Sequence, residues 1–263
     1  MKNVEKSTSK DANKSIKDLI IKVTSPCFDD IGKVLNQLGI KYNSFDGNLN
    51  CDILFLNCGT QDVINYPQLK TFVENGGILY ASDLTSSHII STWPELMTVT
   101  NNTSACKIQA NIIDKDLRQY IGNTVEVEFD LDVWSKIVKT TQGKVLMQSA
   151  AEGFPIMMEF TIGKGKVFYT SFHNHAQTSE IERDLLQLLV IKQISVATDM
   201  DFQKTIDIMS VSTKPSGSMS MSASDSQIDD ASSIIAKWRK KDAYKTSTTE
   251  EMADSIKAKW RKK

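Results

Sequence analysis

The sequence lacks the long apolar runs that membrane insertion and secretion require. Among its 263 residues, no 18 consecutive positions are apolar, which excludes an ordinary membrane-spanning helix. The first 15 residues, MKNVEKSTSKDANKS, lack the apolar centre of a secretory signal peptide and are predicted to be disordered. We therefore expect a cytoplasmic protein without a transmembrane segment.

Cysteine and histidine are also scarce. The four cysteines are irregularly spaced and form no C-x-x-C pair, so neither a disulfide framework nor a familiar zinc motif is indicated. We expect free thiols in a reducing compartment, with no metal and no cofactor. Two of the three histidines, His173 and His175, lie in the stretch VFYTSFHNHAQ (167–177), where a predicted strand runs into a polar loop.

The charge is nearly balanced in total but unevenly distributed. The formal net charge is −1, yet the part from residue 210 onward carries 11 Lys and Arg against 7 Asp and Glu. The part before it is correspondingly acidic. The sequence therefore predicts a mildly acidic body that carries a basic tail.

Strand and helix patterns alternate through the first third of the chain. Residues 18–23, 51–57 and 78–82 are short apolar runs typical of buried strands, whereas 28–39 and 67–77 have apolar residues at helical spacing and end in glycine. This alternation with short links predicts an α/β fold. We expect a flavodoxin-like, mostly parallel sheet with helices on both faces.

The remaining patterns complete one predicted domain, residues 16–202. The glycines around Lys164 favour a hairpin rather than a phosphate-binding loop, and 179–197 is predicted to be a long, largely buried helix. A Ser- and Met-rich linker, 203–229, is too poor in apolar residues to fold. Two repeated basic motifs follow in 230–263.

Three stretches of this domain resemble the class I glutamine amidotransferase-like superfamily, including its trehalose-utilisation-like branch. They are DILFLNCG, LKTFVENGGILYASD and GKGKVFYTSFH, and the resemblance spans roughly residues 18–198. In that superfamily a helix ending in Gly-Gly leads into a strand, and a sharp turn after the strand holds a nucleophilic cysteine. A later strand ends in a Phe-His-Pro-Glu-like stretch that supplies the base and its orienting acid.

The resemblance places His173 on the base and leaves the other two catalytic positions unmatched. The place of the nucleophile falls on Ser82 or Asp83, and the place of the acid falls on His175. The chemistry needs a thiolate, a base and a group that fixes the base. The resemblance therefore implies a degenerate member that keeps the sheet and has lost the glutaminase activity.

Polar residues after the predicted strands form a candidate ligand crevice, because strand carboxyl ends face the crevice in such sheets. A pair of Cys58 with His173 is the candidate for catalysis. The alternatives are an inert structural thiol, binding of a small ligand, and a metal held by His and Asp side chains. The crevice candidates are Cys58, Asp83, Thr85, His88, His173 and His175.

The tail contains an internal repeat. ASSIIAKWRKK (231–241) and ADSIKAKWRKK (253–263) agree at nine of eleven positions. Each copy places aliphatic residues and a tryptophan at helical spacing before a basic end, and Trp and Arg are frequent binding anchors. A protein groove is favoured over an anionic lipid or nucleic-acid surface, since each copy has one compact apolar face. The partner-binding candidates are Ile234, Ile235, Trp238, Arg239, Ile256, Trp260 and Arg261.

Together these features predict a non-catalytic amidotransferase-like binding or scaffold protein. Two C-terminal S-I-x-A-K-W-R-K-K motifs would recruit it to a partner. The alternatives are a hydrolase-type enzyme using Cys58 and His173, a small-ligand-binding subunit, and an accessory subunit of a regulatory assembly. A merely solvated tail is the alternative for the repeats.

Overall fold

A computed structural model describes residues 14–177 and 179–212 of the chain. Most of the N-terminal segment and everything after residue 212 lie outside the described residues. The predicted N-terminal disorder and both repeated tail motifs, with all seven of their partner-binding candidates, therefore concern residues outside this description.

The described chain contains eleven strands, and nearly all of the predicted strands are among them. Their bounds are β1 Ile21–Val23, β2 Asn43–Ser44, β3 Ile53–Leu56, β4 Ile78–Ser82, β5 Met97–Thr100, β6 Cys106–Ile112, β7 Thr124–Phe129, β8 Lys136–Thr140, β9 Lys144–Ser149, β10 Pro155–Ile162 and β11 Gly165–Thr170.

Six α-helices accompany these strands, and local sequence explains where several begin. Asn65 accepts a hydrogen bond from the backbone of Gln68 at the start of the second helix, and Ser179 and Glu182 form a capping box at the start of the fifth. Among the described residues, no helix is long and apolar enough to cross a bilayer. The bounds are α1 Ile31–Gln37, α2 Tyr66–Glu74, α3 Ser86–Thr92, α4 Lys115–Ile121, α5 Glu180–Ala197 and α6 Phe202–Ser212.

Nine strands form one sheet, in the order β2-β1-β3-β4-β11-β10-β9-β6-β7, and β5 and β8 pair separately. The sheet is parallel from β2 to β11 and antiparallel from β11 to β7. The predicted hairpin at Gly163–Gly165 joins β10 to β11. The predicted α/β fold is thus confirmed.

Both faces of the sheet are covered. All positions of β3 and β4 are buried, as expected for strands with helices on either side. One apolar cluster joins the sheet to α1, α4 and α5, and a second joins it to α2 and α3 on the opposite face. This double cover leaves the strand ends as the places where polar side chains can gather.

The fold continues past residue 202, where the predicted domain ended. Helix α6 occupies the first ten residues of the predicted linker and packs on α5. Phe202, Ile206 and Met209 of this helix are buried in the core. The pattern was missed because the spacing of these three residues, at i, i+4 and i+7, borders directly on a Ser-rich stretch.

Candidate functional site

Three neighbouring parallel strands bring three polar residues to one edge of the sheet. Strand β4 lies between β3 and β11, and all three run in the same direction. Cys58 follows β3, Asp83 follows β4 directly and His173 follows β11. Because the carboxyl ends of parallel strands meet at the same edge, these side chains converge.

Asp83 occupies a strained turn. Its φ angle is +45°, in the left-handed region that non-glycine residues seldom adopt but that aspartate tolerates better than most. The Thr85 hydroxyl donates to the Ser82 carbonyl at 2.7 Å, and the Tyr169 hydroxyl donates to the Asp83 carbonyl at 3.0 Å. Both contacts fix the turn, which aims the Asp83 carboxylate at the sheet edge.

The three side chains form a tight and almost dry cluster. The exposed fractions of Cys58, Asp83 and His173 are 0, 1 and 3%. Asp83 Oδ2 lies 3.8 Å from Cys58 Sγ and 3.6 Å from His173 Nδ1, and a donor atom of each residue lies within 4.8 Å of those of the other two. The structure therefore brings together three of the six predicted crevice residues.

A loop after β7 supplies two further contacts to this cluster. Four antiparallel steps from β11 return β7 to the direction of β11, so its carboxyl end lies at the same edge of the sheet. In the loop that follows, Ser135 donates its backbone N–H to Asp83 Oδ1 at 2.8 Å, and Asp130 Oδ1 lies 2.9 Å from His173 Nε2.

Asp130 corrects one expectation from the sequence. Position 175 offers no acid to orient His173, but the structure supplies Asp130 in that role from a distant part of the chain. The run FDLD (129–132) shows acids after a predicted strand, which is the only available signal. Sequence alone could not place that strand end beside His173, because the order of strands β6, β7 and β9 in the sheet is not encoded locally.

A second buried carboxylate, Asp29, borders the cluster. Asp29 Oδ2 accepts from the Ser82 hydroxyl at 2.6 Å, and Asp29 Oδ1 accepts from the Asn174 backbone N–H at 2.9 Å. Burial raises the pKa of Asp29 in spite of these hydrogen bonds and of the nearby His173. Within the described residues, the buried Asn174 Nδ2 has no hydrogen-bond partner, so the polar groups here are not fully satisfied by one another.

The local field opposes a thiolate and favours an imidazolium. Burial raises the pKa of the Cys58 thiol, and the Asp83 and Asp29 carboxylates raise it further. Burial lowers the pKa of His173, but Asp83, Asp130 and Asp29 outweigh burial and raise that pKa above 6.5. In the absence of other ions, the imidazole is the cationic partner of the surrounding carboxylates.

The other three predicted crevice residues contribute differently. Thr85 is buried, but its hydroxyl is used by the turn at Ser82. His88 lies on α3 beside Tyr66, whose hydroxyl is 3.4 Å from His88 Nδ1. His175 belongs to a short 3₁₀ turn, Asn174–Ala176, and its side chain lies outside the described part of the structure.

No family model and no curated protein matches this chain. Solved structures do match, at low identity. A ThuA-like protein from Bacteroides uniformis aligns with a TM-score of 0.50 and 9% identity, over 66% of this chain and 91% of that one. PurLQS from Thermotoga maritima aligns with 0.49 and 11%, over 67% and 97%. A GMP synthase protein from Thermoplasma acidophilum aligns with 0.48 and 12%, over 69% and 95%.

These likenesses concern the fold alone. The ThuA-like structure shares the architecture of residues that make up two thirds of this chain. The fold is therefore that of the class I glutamine amidotransferase-like superfamily, as the sequence resemblance predicted. Activity and ligands do not follow from it, because one fold hosts many functions.

Proposed function

We propose that this protein is a degenerate amidotransferase-like binding protein without glutaminase activity, which a partner recruits through the two tail motifs. The observation that carries the first half is the identity of the residue in the strained turn after β4. Asp83 holds that turn, at +45° in φ, where the superfamily places its cysteine.

The thiol that is present makes a poor substitute for the missing nucleophile. Cys58 lies on the neighbouring strand, is fully buried, and faces the Asp83 carboxylate at 3.8 Å. A nucleophilic cysteine needs an environment that lowers the pKa of its thiol, such as a cation or a helix N-terminus. The carboxylates around Cys58 do the opposite.

Ammonia release from glutamine tests this half of the proposal. The purified full-length chain should release no more ammonia than a Cys58→Ser variant or a buffer blank. A rate that exceeds the blank, and that disappears in Cys58→Ser but persists in Cys27→Ser, would contradict the proposal and make Cys58 the nucleophile.

The recruitment half is supported by the sequence. Each copy of the repeat combines an aliphatic and aromatic face with a basic end, and an exposed tryptophan retained twice favours a binding use. A single short helix gains little on docking, because the entropy lost on ordering offsets most of its apolar burial. Two copies on one chain raise the effective concentration of the second contact and can increase avidity by about 10²–10⁴.

Capture with the full chain tests recruitment. Trp238→Ala or Trp260→Ala should each weaken capture of the partner substantially, and the double variant should abolish it. Ser247→Ala, between the two copies, is the matched control and should leave capture unchanged. Equal capture by the double variant and the wild type would refute recruitment by the motifs. A steep loss with rising salt would identify an anionic surface rather than a protein groove.

A hydrolase-type enzyme is the second candidate, and one contact favours it. His173 Nε2 lies 2.9 Å from Asp130, which is the base and orienting-acid pair that such chemistry needs. The enzyme would also need a reactive Cys58. Alkylation with iodoacetamide at neutral pH should modify the exposed Cys27 and Cys106 and spare Cys58. Faster modification of Cys58 than of Cys27 would favour the enzyme instead.

A further inference from the structure

The spacing of the Cys58–Asp83–His173 cluster is the feature that the proposed function leaves unexplained. The 3.6 Å between Asp83 Oδ2 and His173 Nδ1 is too long for a hydrogen bond between a carboxylate and an imidazole. The 3.8 Å between Asp83 Oδ2 and Cys58 Sγ is also long. Three buried polar side chains point towards one another without closing normal hydrogen bonds.

These separations fit the edges of a metal tetrahedron. Zinc bonds of about 2.0–2.1 Å to nitrogen or oxygen and about 2.3 Å to sulfur, at tetrahedral angles, separate the donor atoms by about 3.3–3.6 Å. The two measured separations exceed this range by a few tenths of an ångström at most, and all three donors lie within 4.8 Å of one another. Small side-chain movements would close the shell.

We propose that Cys58 Sγ, Asp83 Oδ2 and His173 Nδ1 bind one divalent zinc-type cation at the carboxyl edge of the sheet. The donor set of thiolate, carboxylate and imidazole is one that zinc accepts. On binding, the Cys58 thiol loses its proton to solvent and the sulfur bonds to the metal, with no change in oxidation state. Three protein donors leave the fourth tetrahedral position to a water molecule or a small ligand.

The contacts behind these donors fit a metal site as well. A metal-binding histidine usually donates its other ring N–H to a carboxylate, and His173 Nε2 has Asp130 at 2.9 Å. The second oxygen of Asp83 accepts the Ser135 backbone N–H at 2.8 Å, which fixes the carboxylate with Oδ2 towards the cluster. The Asp130 side chain is 37% exposed, so this side of the cluster borders on solvent and offers a route of entry.

The local charge also calls for a cation. Asp29 and Asp83 are both buried, and in the described part of the chain neither pairs with a lysine or arginine. His173 is the cationic partner that they share. A divalent ion would compensate the carboxylates more fully than one imidazolium, in a place where uncompensated charge is costly.

The site goes beyond the proposed function, because it needs neither the tail nor a glutaminase. The test begins with the full-length chain, stripped of metal with a chelator and titrated with Co²⁺ and Zn²⁺. One equivalent of Co²⁺ should bind and produce the near-ultraviolet charge-transfer band that a cobalt–thiolate bond gives, and Zn²⁺ should displace it. X-ray absorption of the zinc form should show one sulfur at about 2.3 Å and the remaining donors as nitrogen or oxygen.

Variants then assign the donors. The chain has four cysteines, so a Cys27→Ser/Cys51→Ser/Cys106→Ser variant leaves Cys58 as the only thiol without altering the cluster. This variant should keep the stoichiometry and the charge-transfer band. Cys58→Ser should lose the band and weaken Zn²⁺ binding at least tenfold. His173→Gln should weaken binding similarly, whereas the control His88→Gln should not.

Three results would overturn the proposal. They are the absence of stoichiometric binding by the wild type, a bound metal with no sulfur or more than one, and loss of the band in the variant that retains only Cys58. If Cys58→Ser fails to fold, that triple variant and the absorption spectrum decide the assignment. Because the readout is metal bound, the outcome is independent of ammonia release and of partner capture.

Discussion

Two buried aspartates, Asp83 and Asp114, show how this fold treats a charge that builds the structure and a charge in the candidate site. Both side chains are 1% exposed. Asp114 caps α4 by accepting from the Leu117 backbone, and it pairs with Lys144 at 2.5 Å and Lys192 at 3.0 Å. Asp83 has one backbone donor, a thiol and an imidazole.

The difference is in the compensation of charge. Burial opposes ionisation of Asp114, but the two lysines and the helix N–H outweigh it, so its pKa lies below 3.8. At the site, burial raises the pKa of Asp29 in spite of its hydrogen bonds. Buried charges that only stabilise a fold are paired, and those left unpaired are candidates for binding or catalysis.

The helix that covers the Asp114 cluster should matter most for stability. Lys192 Nζ lies 5.5 Å from the centre of the Phe202 ring, and α6 buries Phe202, Ile206 and Met209. Each of these side chains contributes about 1.5–3 kcal/mol of gross apolar burial. We predict that ending the chain after residue 202 lowers the melting temperature by roughly 10 °C or more.

Ending the chain after residue 212 is the matched control. It keeps α6 complete and removes only residues outside the described part of the structure. Scanning calorimetry should give a melting temperature within a few degrees of the full chain. Equal melting temperatures for the two truncations would show that α6 does not stabilise the core.

Removing the structural charge should have the next largest effect. Asp114→Asn keeps a side chain that can cap α4 but leaves the buried Lys192 with only the half-exposed Asp116. We expect a loss of about 2–3 kcal/mol in the free energy of unfolding at pH 7. Asp116→Asn is the control and should cost less than about 1 kcal/mol, because its carboxylate is 45% exposed.

The pH dependence of that loss has a definite sign. The pKa of Asp114 is lowered in the folded state, so its contribution is present above 3.8, the ordinary value, and is lost as pH falls through the folded pKa. The difference between wild type and Asp114→Asn, measured by urea unfolding, should therefore shrink below pH 4. A constant difference down to pH 2 would mean that the charge is not responsible.

Local patterns sufficed for most of the fold but not for its middle. The apolar runs of β3 and β4 and the capped α5 were predictable because each is dictated by a few neighbouring residues. Helix α3 and the β5–β8 pair were not predicted. Serine, threonine and histidine dominate α3, a composition that favours turns when it is considered without its surroundings.

The candidate site divides along the same line. Cys58, Asp83 and His173 were predictable, since each follows a recognisable strand and parallel strand ends converge. Asp130 and Ser135 were missed because they reach the site through the antiparallel half of the sheet. Asp29 was missed because an acid just before a helix is usually interpreted as a cap.

A smaller effect should come from titration of His173 in the metal-free protein. Its pKa is raised above 6.5 by the surrounding carboxylates, which outweigh burial. A raised pKa in the folded state means that the stabilising contribution is complete below the unfolded value and is lost as pH rises through the folded pKa. We predict that the free energy of unfolding of wild type falls, relative to His173→Gln, between pH 6 and pH 9.

Urea titrations of both proteins at several pH values would measure this effect. Parallel profiles would show that His173 carries no charge in the folded state. The same experiment on His88→Gln should leave the wild-type slope unchanged, because burial lowers the pKa of His88 and no carboxylate is recorded against it.

The most direct test applies one substitution at both aspartates of the metal-free protein and measures the free energy of unfolding. Asn tolerates the positive φ at residue 83 and can still accept from Ser135, while His173 keeps Asp130. Asp83→Asn removes a buried charge that no lysine or arginine of the described residues compensates. It should change stability by less than about 0.5 kcal/mol or increase it, against the loss of about 2–3 kcal/mol for Asp114→Asn. Equal losses at the two positions would contradict the account, because Asp83 would then be a structural charge like Asp114.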